Sequence, residues 1–472
     1  MTQKILVTGG AGFIGSHLTE ALLNLGARVI VVDDESTGSA ANLSAVAGHA
    51  QLTYVKGSVG DAPLMQQLTA DVDQVFHLAA AVGVALIARN PMETIERNIY
   101  PTELLFANLR RRVQKGEHVT CFLASTSEVY GKNPKPVWTE DEDLVFGPTT
   151  CPRWSYGASK AIDEFLALAS WRQYHVPVVI GRFFNVVGPR QTGAYGMVLP
   201  RFVEAALAGR PLIVHDDGRQ ERCFAHVDDV VAAVIALMKT PSAVGRVFNI
   251  GSDQPVSILE LARTVCAAAG SPSSIEFQSY GQAYDEDFQD VRRRVPDLSR
   301  LRAAIDYRPR HGLEAIVRGV IAWKRGELPH VIRLRGPWHC EPSDPALRPR
   351  VCEMPATWSA VLGETSCGPI AFRRSFGCPT NLRQGDRVDL VIEGCHTPGT
   401  VSLNGTMLGE IAIGKTSTRF DITAMLTHRN DLHVALSSPG QDPHTAGSNR
   451  PETAVQDAGP WYEIGLEIHA PA

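Results

Sequence analysis

Over residues 1–325, short runs of apolar residues alternate with segments whose apolar positions recur at helical spacing. The helical segments are clearest at Gly15–Leu25, Met92–Arg112 and Ser155–Trp171. A short apolar run between two helices is typical of a strand that is buried on both faces of a parallel sheet. The pattern therefore predicts an α/β fold with a doubly wound parallel sheet. Its predicted strands are Ile5–Val7, Val29–Val32, Val75–Leu78, Thr120–Leu123 and Val178–Ile180.

The second half of this region predicts a smaller and more mixed lobe. Helical spacing recurs at Leu199–Ala208, Val227–Met238 and Ile258–Ala268, with a single short strand at Val247–Ile250. We therefore expect an α/β lobe that is formed mainly by these segments and holds the substrate.

The pattern changes after residue 325. Glycine and proline crowd the next stretch, at Gly326, Pro329, Gly336, Pro337, Pro342, Pro345 and Pro349. Beyond it, apolar residues alternate at Val388–Ile392, Val401–Leu403 and Leu432–Leu436, and the hairpin signal Asn404-Gly405 lies between two of these segments. Period-two alternation with tight turns favours an antiparallel β-sandwich. We expect an α/β domain at 1–328, a linker at 329–350 and an all-β jelly-roll sandwich at 351–472.

Composition and charge exclude several classes of partner. The net charge is −5 and no basic stripe is visible, which argues against nucleic acid and anionic membrane as partners. No apolar run approaches the ~18 residues that a membrane span needs, and the chain begins without a signal peptide pattern. Nine cysteines without a CxxC pair fit a reduced, cytoplasmic protein. The cysteines and histidines also lack metal-ligand spacing, so we expect no metal site.

A glycine-rich turn follows the first predicted strand. In the sequence TGGAGFIG at residues 8–15, Gly9 permits a tight turn, Gly12 lets the backbone approach a pyrophosphate, and Gly15 allows close packing of helix and sheet. Phe13 and Ile14 open the helix, whose N-terminus attracts phosphates. These features predict a Rossmann-type dinucleotide site.

Acidic and small residues near the next two strands define the cofactor further. Asp33 ends the second strand, where a carboxylate hydrogen-bonds a ribose 2′-hydroxyl and repels a 2′-phosphate, so NAD is favoured over NADP. Ser58 and Val59 lie where a third strand would meet the adenine.

A tyrosine and a lysine lie four residues apart on the predicted helix 155–171. Tyr156 and Lys160 therefore share one helix face, and a nearby ammonium favours ionisation of the phenol, so that Tyr156 can act as a base. Thr126 follows the strand Thr120–Leu123, at the edge of the sheet where ligands bind. It can share the hydrogen bond of a sugar hydroxyl with Tyr156, although a helix-capping role is also open.

These motifs together resemble the extended short-chain dehydrogenase/reductase family of nucleotide-sugar epimerases, dehydratases and decarboxylases. The motifs that carry the resemblance are TGGAGFIG, HLAAAVG, STSEVYG, YGASK and RFFNVVGPRQ, which span residues 8–191. The resemblance implies that Thr126, Tyr156 and Lys160 remove the proton of the sugar 4-hydroxyl while NAD takes the C4 hydride. It also implies cofactor contacts from Leu78, Ala79 and Ala80, and substrate contacts from Asn185, Arg190 and Arg222. The usual aspartate at the adenine position is Ser58 here.

The segment Thr126-Ser127-Glu128 resembles UDP-glucuronate decarboxylases more than dehydratases, which carry an aspartate in place of Ser127. Oxidation of a glucuronate at C4 gives a β-keto acid that loses CO₂ through an enolate. A neutral Ser127 can hydrogen-bond the sugar carboxylate, Arg294 can pair with it, and Glu128 would orient the group or transfer a proton. Arg292–Arg294 could also be a solvated charge run.

The sequence is compatible with several functional alternatives. A 4-epimerase acting on UDP-glucose or UDP-glucuronate is the main alternative to the decarboxylase, and a dehydratase is a lesser one. A glycan-binding protein on a dehydrogenase scaffold belongs to a different class, which the intact Thr126, Tyr156 and Lys160 argue against. Whether the product is a UDP-pentose such as UDP-xylose or its 4-keto form depends on whether the hydride returns, which the sequence does not decide.

The final part of the chain resembles the galactose-binding-like jelly roll attached to many glycosidases. The resemblance rests on Val401–Gly405, Phe420–Thr423 and Asn430–Val434. Such modules either pack and assemble or bind glycans, and an aromatic core is favoured over sugar stacking for most of Trp338, Trp358, Trp461 and Tyr462. The resemblance of residues 1–325 also implies a homodimer through the helices near 92–112 and 155–171.

Overall fold

The structure is a computed structural model in which the chain forms two compact units, one ending at Gly326 and the other beginning at Glu327. It describes residues 2–469 except 82–90, 194–196, 284–289, 328–329, 335, 346, 355, 357, 359–360, 362–368, 380–381, 383–384, 394, 396, 412–416, 438–459 and 462.

The first unit alternates strands and helices along most of its length. In chain order its elements are β1 (Lys4–Thr8), α1 (Phe13–Asn24), β2 (Arg28–Asp33), β3 (Leu52–Lys56), α2 (Ala62–Thr69), β4 (Gln74–His77), α3 (Pro91–Gln114), β5 (Thr120–Thr126), α4 (Ser155–Tyr174), β6 (Val178–Phe183), β7 (Val186–Val187), α5 (Val198–Leu207), β8 (Leu212–His215), β9 (Glu221–Cys223), β10 (Ala225–His226), α6 (Val227–Met238), β11 (Arg246–Ile250), β12 (Pro255–Ser257), α7 (Ile258–Ala269), β13 (Ile275–Gln278), α8 (Tyr280–Ala283), β14 (Arg293–Arg294), α9 (Ser299–Ile305) and α10 (Leu313–Arg325).

Seven of these strands form one parallel sheet in the order β11-β6-β5-β4-β1-β2-β3. From β1 the chain adds strands in one direction, through β2 to β3, and from β4 it adds them in the other direction. Open α/β sheets bind their ligands at such a switch point, which lies here between β1 and β4. The five strands predicted from apolar runs all lie in this sheet, and the predicted helices correspond to α1, α3 and α4. The doubly wound architecture is therefore confirmed.

One predicted strand belongs to a different part of the unit than the sequence suggests. Val247–Ile250 was expected in the smaller lobe, but β11 pairs in parallel with β6 at the edge of the main sheet. Phe248 and Ile250 are fully buried there. The helix α6 that precedes β11 provides the crossover that a parallel strand requires.

The smaller lobe contains short sheets packed on α5, α7 and α10. Strand β9 pairs antiparallel with β12 and parallel with β14, which places Arg222 directly opposite Arg294. A second pair, β8 with β13, lies over an apolar core that includes Leu199, Val203 and Leu261. This lobe therefore brings basic residues from distant segments to one edge.

The second unit is all-β. Its strands are β15 (His330–Arg333), β16 (Trp338–Pro342), β17 (Arg350–Cys352), β18 (Ile370–Gly377), β19 (Arg387–Glu393), β20 (Gly399–Leu403), β21 (Thr406–Ile411), β22 (Ser417–Asp421), β23 (Arg429–Leu436) and β24 (Glu463–His469). They form two antiparallel sheets, β15-β24-β19-β22 and β17-β16-β18-β23-β20-β21. One apolar core takes residues from both sheets, including Leu390, Leu466, Phe372 and Val434, as expected for a sandwich.

Two strands of this sandwich lie inside the stretch 329–350 that the sequence predicts as a linker. Strand β15 pairs with β24, and β16 lies between β17 and β18. Trp338 and Cys340 alternate into the core, Pro337 lies just before β16, and Pro342 is its last residue. The hairpin prediction at Asn404-Gly405 is confirmed, because both residues have positive φ, of 51° and 81°.

Three tryptophans of this unit are core residues, as the sequence favours over sugar stacking. Trp338, Trp358 and Trp461 are at most 3 % exposed, and the ring centroids of Trp338 and Trp461 lie 5.2 Å apart. Tyr462 lies outside the described residues. Among the described residues, no helix is long and apolar enough to cross a membrane.

Candidate active site

A cavity of about 820 Å³ lies in the first unit, at the carboxyl ends of β1, β2, β4 and β5. Its walls come from both the main sheet and the smaller lobe. All the residues that the sequence predicts as catalytic or cofactor-binding line it, as do the predicted substrate-binding residues apart from Arg190.

The glycine turn is packed so tightly that side chains would not fit. Gly9 has a φ of 69°, and a Cβ added to it would lie 2.8 Å from the backbone nitrogen of Ala79. A Cβ on Gly15 would lie 2.1 Å from the carbonyl oxygen of Gly9. These glycines bring the end of β1 against the residues after β4, and Gly12, Phe13 and Ile14 face the cavity at the start of α1. The turn therefore has the shape that a dinucleotide pyrophosphate requires.

Asp33 is held firmly in the cavity wall, at the last residue of β2. Its Oδ2 accepts a hydrogen bond from the Ala11 N–H at 2.9 Å, and its Oδ1 accepts one from the Glu35 N–H at 2.8 Å. Burial raises the pKa of this carboxyl, although both backbone bonds oppose the rise. Because each oxygen has a second lone pair, the carboxylate can also accept from a ribose hydroxyl.

Small and apolar residues line the rest of the cofactor side. Leu78, Ala79 and Ala80 follow β4, and the Ala79 N–H donates to Thr8 Oγ1 at 3.2 Å. Ser58 and Val59 lie beyond β3, where Ser58 Oγ accepts from the Gly60 N–H at 3.1 Å. All five residues therefore line the cavity.

Thr126, Tyr156 and Lys160 meet in the cavity. Thr126 ends β5 and caps a 3₁₀ turn over Ser127–Tyr130, since its Oγ1 accepts from the Glu128 N–H at 3.2 Å. The same side chain hydrogen-bonds the Tyr156 phenol. The capping role and the site role that the sequence left as alternatives are thus combined in one residue.

The sequence predicts that Lys160 lowers the pKa of the Tyr156 phenol, but in the structure this pKa is raised. Burial raises the pKa of the Tyr156 phenol, and the Glu128 carboxylate raises it further, while the Thr126 hydrogen bond lowers it. The Lys160 ammonium donates instead to Asp163 Oδ2 at 2.7 Å. Helical spacing places Lys160 beside Tyr156 but reveals neither the burial nor the carboxylate that offsets the lysine charge.

Glu128 lies between two guanidinium groups. Arg294 Nη1 is 2.7 Å from Glu128 Oε1, and Arg153 Nη2 is 2.6 Å from Glu128 Oε2. Burial alone would raise the pKa of Glu128, but the charges of Arg294 and Arg153 outweigh it and lower the pKa to about 2. Glu128 is therefore a carboxylate throughout the neutral range, which favours the orienting role over the proton transfer also considered from the sequence.

A second ion pair adjoins the first. Arg222 Nη2 donates to both carboxylate oxygens of Asp290 at 2.9 Å. Together with Glu128, Arg153 and Arg294, this places three guanidiniums and two carboxylates at one end of the cavity, a net charge of +1. The Nε atoms of Arg153 and Arg294 are buried without a hydrogen-bond partner among the described residues. This end of the cavity is thus suited to an additional anion.

The three consecutive arginines at 292–294 separate into two environments. The Arg292 side chain is 57 % exposed and pairs with Asp217, as a solvated charge run would. Arg294 is 7 % exposed and lines the cavity. The two interpretations left open by the sequence therefore apply to different residues of the run.

The remaining predicted residues have distinct positions. Ser127 is buried in the cavity wall, and Asn185 also lines the cavity, where its Nδ2 donates to the Cys223 carbonyl at 3.3 Å. Arg190 does not line the cavity, because its guanidinium pairs with Glu20 on α1 at 2.6 Å. The structure therefore does not support the predicted contact between Arg190 and the substrate.

Two members of the ion-pair cluster in the cavity, Arg153 and Asp290, are not among the residues predicted from the sequence. Arg153 lies three residues before Tyr156, close to the YGASK motif, so a signal for it existed in the sequence. Asp290 is separated from Arg222 by 68 residues and becomes visible as its partner only in the fold.

The fold and cavity define a dinucleotide-dependent enzyme of the Rossmann type. The model of the NAD dependent epimerase/dehydratase family matches residues 5–251, and the chain belongs to that family and uses NAD. The model of the glycosyl hydrolase 2 galactose-binding domain-like family matches residues 366–461.

Individual relatives are similar over the first unit. The chain is 38 % identical over 326 residues to the UDP-N-acetyl-alpha-D-glucosaminuronate decarboxylase of Bacillus cytotoxicus, covering 69 % of this chain and 98 % of the relative. It is 34 % identical over 328 residues to UDP-glucuronic acid decarboxylase 1 of Xenopus tropicalis, covering 70 % and 73 %. The UDP-glucuronic acid 4-epimerase of Bacillus cereus, solved with UDP-glucuronic acid and NAD, superimposes with a TM-score of 0.61 and 26 % identity over 68 % of this chain and 99 % of that one.

Proposed function

We propose that this protein is an NAD-dependent decarboxylase of UDP-linked hexuronates that acts through a C4-keto intermediate. The observation that carries the proposal is the pair of buried guanidiniums, Arg153 and Arg294, on either side of Glu128. They leave an excess positive charge in the same cavity as Tyr156. A carboxylate at C6 of the sugar would neutralise that charge.

The first step requires a base at the C4 hydroxyl. Tyr156, with Thr126 hydrogen-bonded to its phenol, would accept the hydroxyl proton. When bound along the glycine turn, NAD supplies the acceptor for the C4 hydride. The raised pKa of Tyr156 means that the phenol is protonated in the free protein. It would therefore first release its proton to solvent, and the phenolate would then accept the proton of the C4 hydroxyl.

Loss of CO₂ then follows from the chemistry of the sugar. A C4 ketone makes the uronate a β-keto acid, and the C5–C6 bond breaks as its electron pair forms an enolate. Arg153 and Arg294 would hold the carboxylate before this step and stabilise the enolate during it. Ser127, which is neutral and buried, would hydrogen-bond the carboxylate where an acidic residue would repel it.

Two candidate substrates differ in the substituent at C2 of the sugar. UDP-glucuronate is the substrate named for the Xenopus relative, whereas the Bacillus cytotoxicus relative, which is more similar, takes a 2-acetamido uronate. The carboxylate that the arginines would bind is common to both. UDP-N-acetylglucosaminuronate is therefore the second candidate.

Mass spectrometry of the nucleotide sugar after incubation with protein and NAD tests the proposal. We expect loss of the mass of CO₂ from UDP-glucuronate or its acetamido analogue, giving a UDP-pentose if the hydride returns and the 4-keto form if it does not. Tyr156→Phe is the control and should abolish the reaction while the protein stays folded. Isomerisation without a change of mass would contradict decarboxylation and indicate a 4-epimerase instead.

We also propose that the protein forms a homodimer through α3 and α4. Large apolar side chains are exposed on these two helices, with Met92 and Phe165 each 68 % exposed, Tyr100 50 % and Ile162 43 %. Such an exposed apolar surface on packed helices is typical of a protein–protein interface.

A further inference from the structure

Lys160, which lines the cavity, has a buried carboxylate beside it that the proposed reaction does not use. Lys160 Nζ donates to Asp163 Oδ2 at 2.7 Å, and the two side chains are 3 % and 0 % exposed. They lie one helical turn apart on α4. Lys160 lines the cavity, whereas Asp163 does not. The ammonium is therefore fixed from behind by a group that a substrate cannot reach.

A buried ion pair changes the electrostatics of everything near it. In a medium of low dielectric constant, a unit charge acts over a longer distance than it does in water. The field of Lys160 at Tyr156 is opposed by the Asp163 carboxylate, because the two charges are opposite and adjacent. Asp163 raises the pKa of the Tyr156 phenol, in the same direction as burial and Glu128.

We propose that Asp163 is a positioning residue that orients the Lys160 ammonium and offsets its charge, and so sets the pH range in which Tyr156 accepts the sugar proton. The proposal rests on the proposed role of Tyr156 as the base. It does not depend on whether C4 oxidation leads to decarboxylation or epimerisation. An ammonium has three N–H groups, so Lys160 can hydrogen-bond the cofactor ribose or the substrate as well as Asp163.

The other charged groups near Lys160 and Asp163 do not set the pH range of Tyr156 through Lys160. His77 on β4 lies close to Lys160, but burial and the lysine charge lower its pKa to about 3, so it is neutral in the working range. Glu164, the next residue on α4, pairs with Arg182 at 2.7 Å. Glu128 and Arg153 act on Tyr156 from the 3₁₀ turns that precede α4, with opposite signs.

The test is the pH dependence of kcat/KM in Asp163→Asn, measured with whichever nucleotide sugar turns over. The amide keeps an acceptor for Lys160 but removes the negative charge. We expect the acidic limb of the profile to move to lower pH by roughly one unit, because the phenolate is no longer opposed by Asp163. Asp163→Glu, which restores the charge, should return the limb towards its original position.

Glu164→Gln is the matched control. It removes a buried negative charge from the same helix, at the position next to Asp163, but it removes the partner of Arg182 and not that of Lys160. We expect this variant to lose stability while the midpoint of its pH profile stays in place. An equal shift in both variants would show a general charge effect and overturn the specific role of Asp163.

A second measurement needs no substrate. The ultraviolet absorbance of the Tyr156 phenolate is taken as the difference between each protein and its Tyr156→Phe counterpart. As the pH is raised, this absorbance should appear at a lower pH in Asp163→Asn than in the wild type. If the asparagine variant fails to fold, Asp163→Ser removes the charge and leaves room for a water molecule. A folded, uncharged variant with both the pH profile and the phenolate titration unchanged would refute the proposal. A failed decarboxylase assay would leave the phenolate titration intact, so the two proposals fail separately.

Discussion

Replacing Glu128 by glutamine perturbs the most highly charged part of the cavity with little change in volume. Both carboxylate oxygens of Glu128 are engaged, one by Arg294 at 2.7 Å and the other by Arg153 at 2.6 Å. An amide offers one acceptor oxygen, and its NH₂ group would face a guanidinium. Glu128→Gln therefore leaves two buried cations without a compensating charge.

The magnitude follows from the pKa of Glu128. The two arginines hold it at about 2, against 4.5 for an unperturbed glutamate. At ~1.4 kcal/mol for each pKa unit, the folded state favours the carboxylate by about 3 kcal/mol. Loss of one partner from a buried pair typically costs about 3–5 kcal/mol, which agrees with this value. We expect the free energy of unfolding to fall by about 3 kcal/mol near neutral pH.

The sign of the pH dependence provides the assay. The pKa of Glu128 is lower in the folded protein than in the unfolded chain, so the carboxylate stabilises the fold at any pH above the unfolded-state pKa of 4.5. This contribution is lost as the pH falls from 4.5 towards about 2. Urea unfolding of the wild type and Glu128→Gln should therefore differ most near neutral pH and converge on acidification. Glu20→Gln, which breaks a single pair with Arg190, is the control and should cost about 1 kcal/mol. A difference between wild type and Glu128→Gln that stays constant with pH would refute the reasoning.

Two further predictions concern the substrate and the dimer. Arg153→Met should raise KM for the UDP-hexuronate by roughly 10–100-fold, because one charged hydrogen-bond donor is lost, whereas the exposed Arg292→Met should leave KM unchanged in steady-state kinetics. Phe165→Glu should weaken a dimer by at least about tenfold in analytical ultracentrifugation, while Phe277→Glu, at a residue 57 % exposed on β13, should not. Reversed results for either pair of variants would contradict the corresponding proposal.

The parts of the fold that the sequence predicted are those set by local pattern. The glycine turn, Asp33 and the Tyr156–Lys160 pair are each recognised from a short stretch of sequence at one strand end or on one helix, and each lies in the cavity wall. The hairpin at Asn404-Gly405 is similar, since its residue types favour positive φ without help from the rest of the chain.

The misplaced elements depend on contacts between distant segments. Apolar alternation identifies β11 as a strand, but it does not say which sheet provides its partner. Glycine and proline residues in 329–350 lie near the ends of β15 and β16. They give no indication of the pairing with other strands that makes these segments part of a sheet. Arg190 lies within a motif that suggests the substrate, yet Glu20 on α1 pairs with it. Partner choice is a tertiary property, which short-range spacing does not encode.

The pKa of Tyr156 likewise depends on tertiary contacts that sequence spacing does not reveal. Spacing alone gives one cation beside one phenol, from which a lowered pKa follows. The fold adds burial, the Glu128 carboxylate and Asp163 on the hidden side of Lys160, and their combined effect raises the pKa instead. Asp163 is three residues from Lys160 in the sequence, where such a pair on an exposed helix contributes little. Burial gives this pair its influence, because the two charges are far less screened there than on an exposed helix.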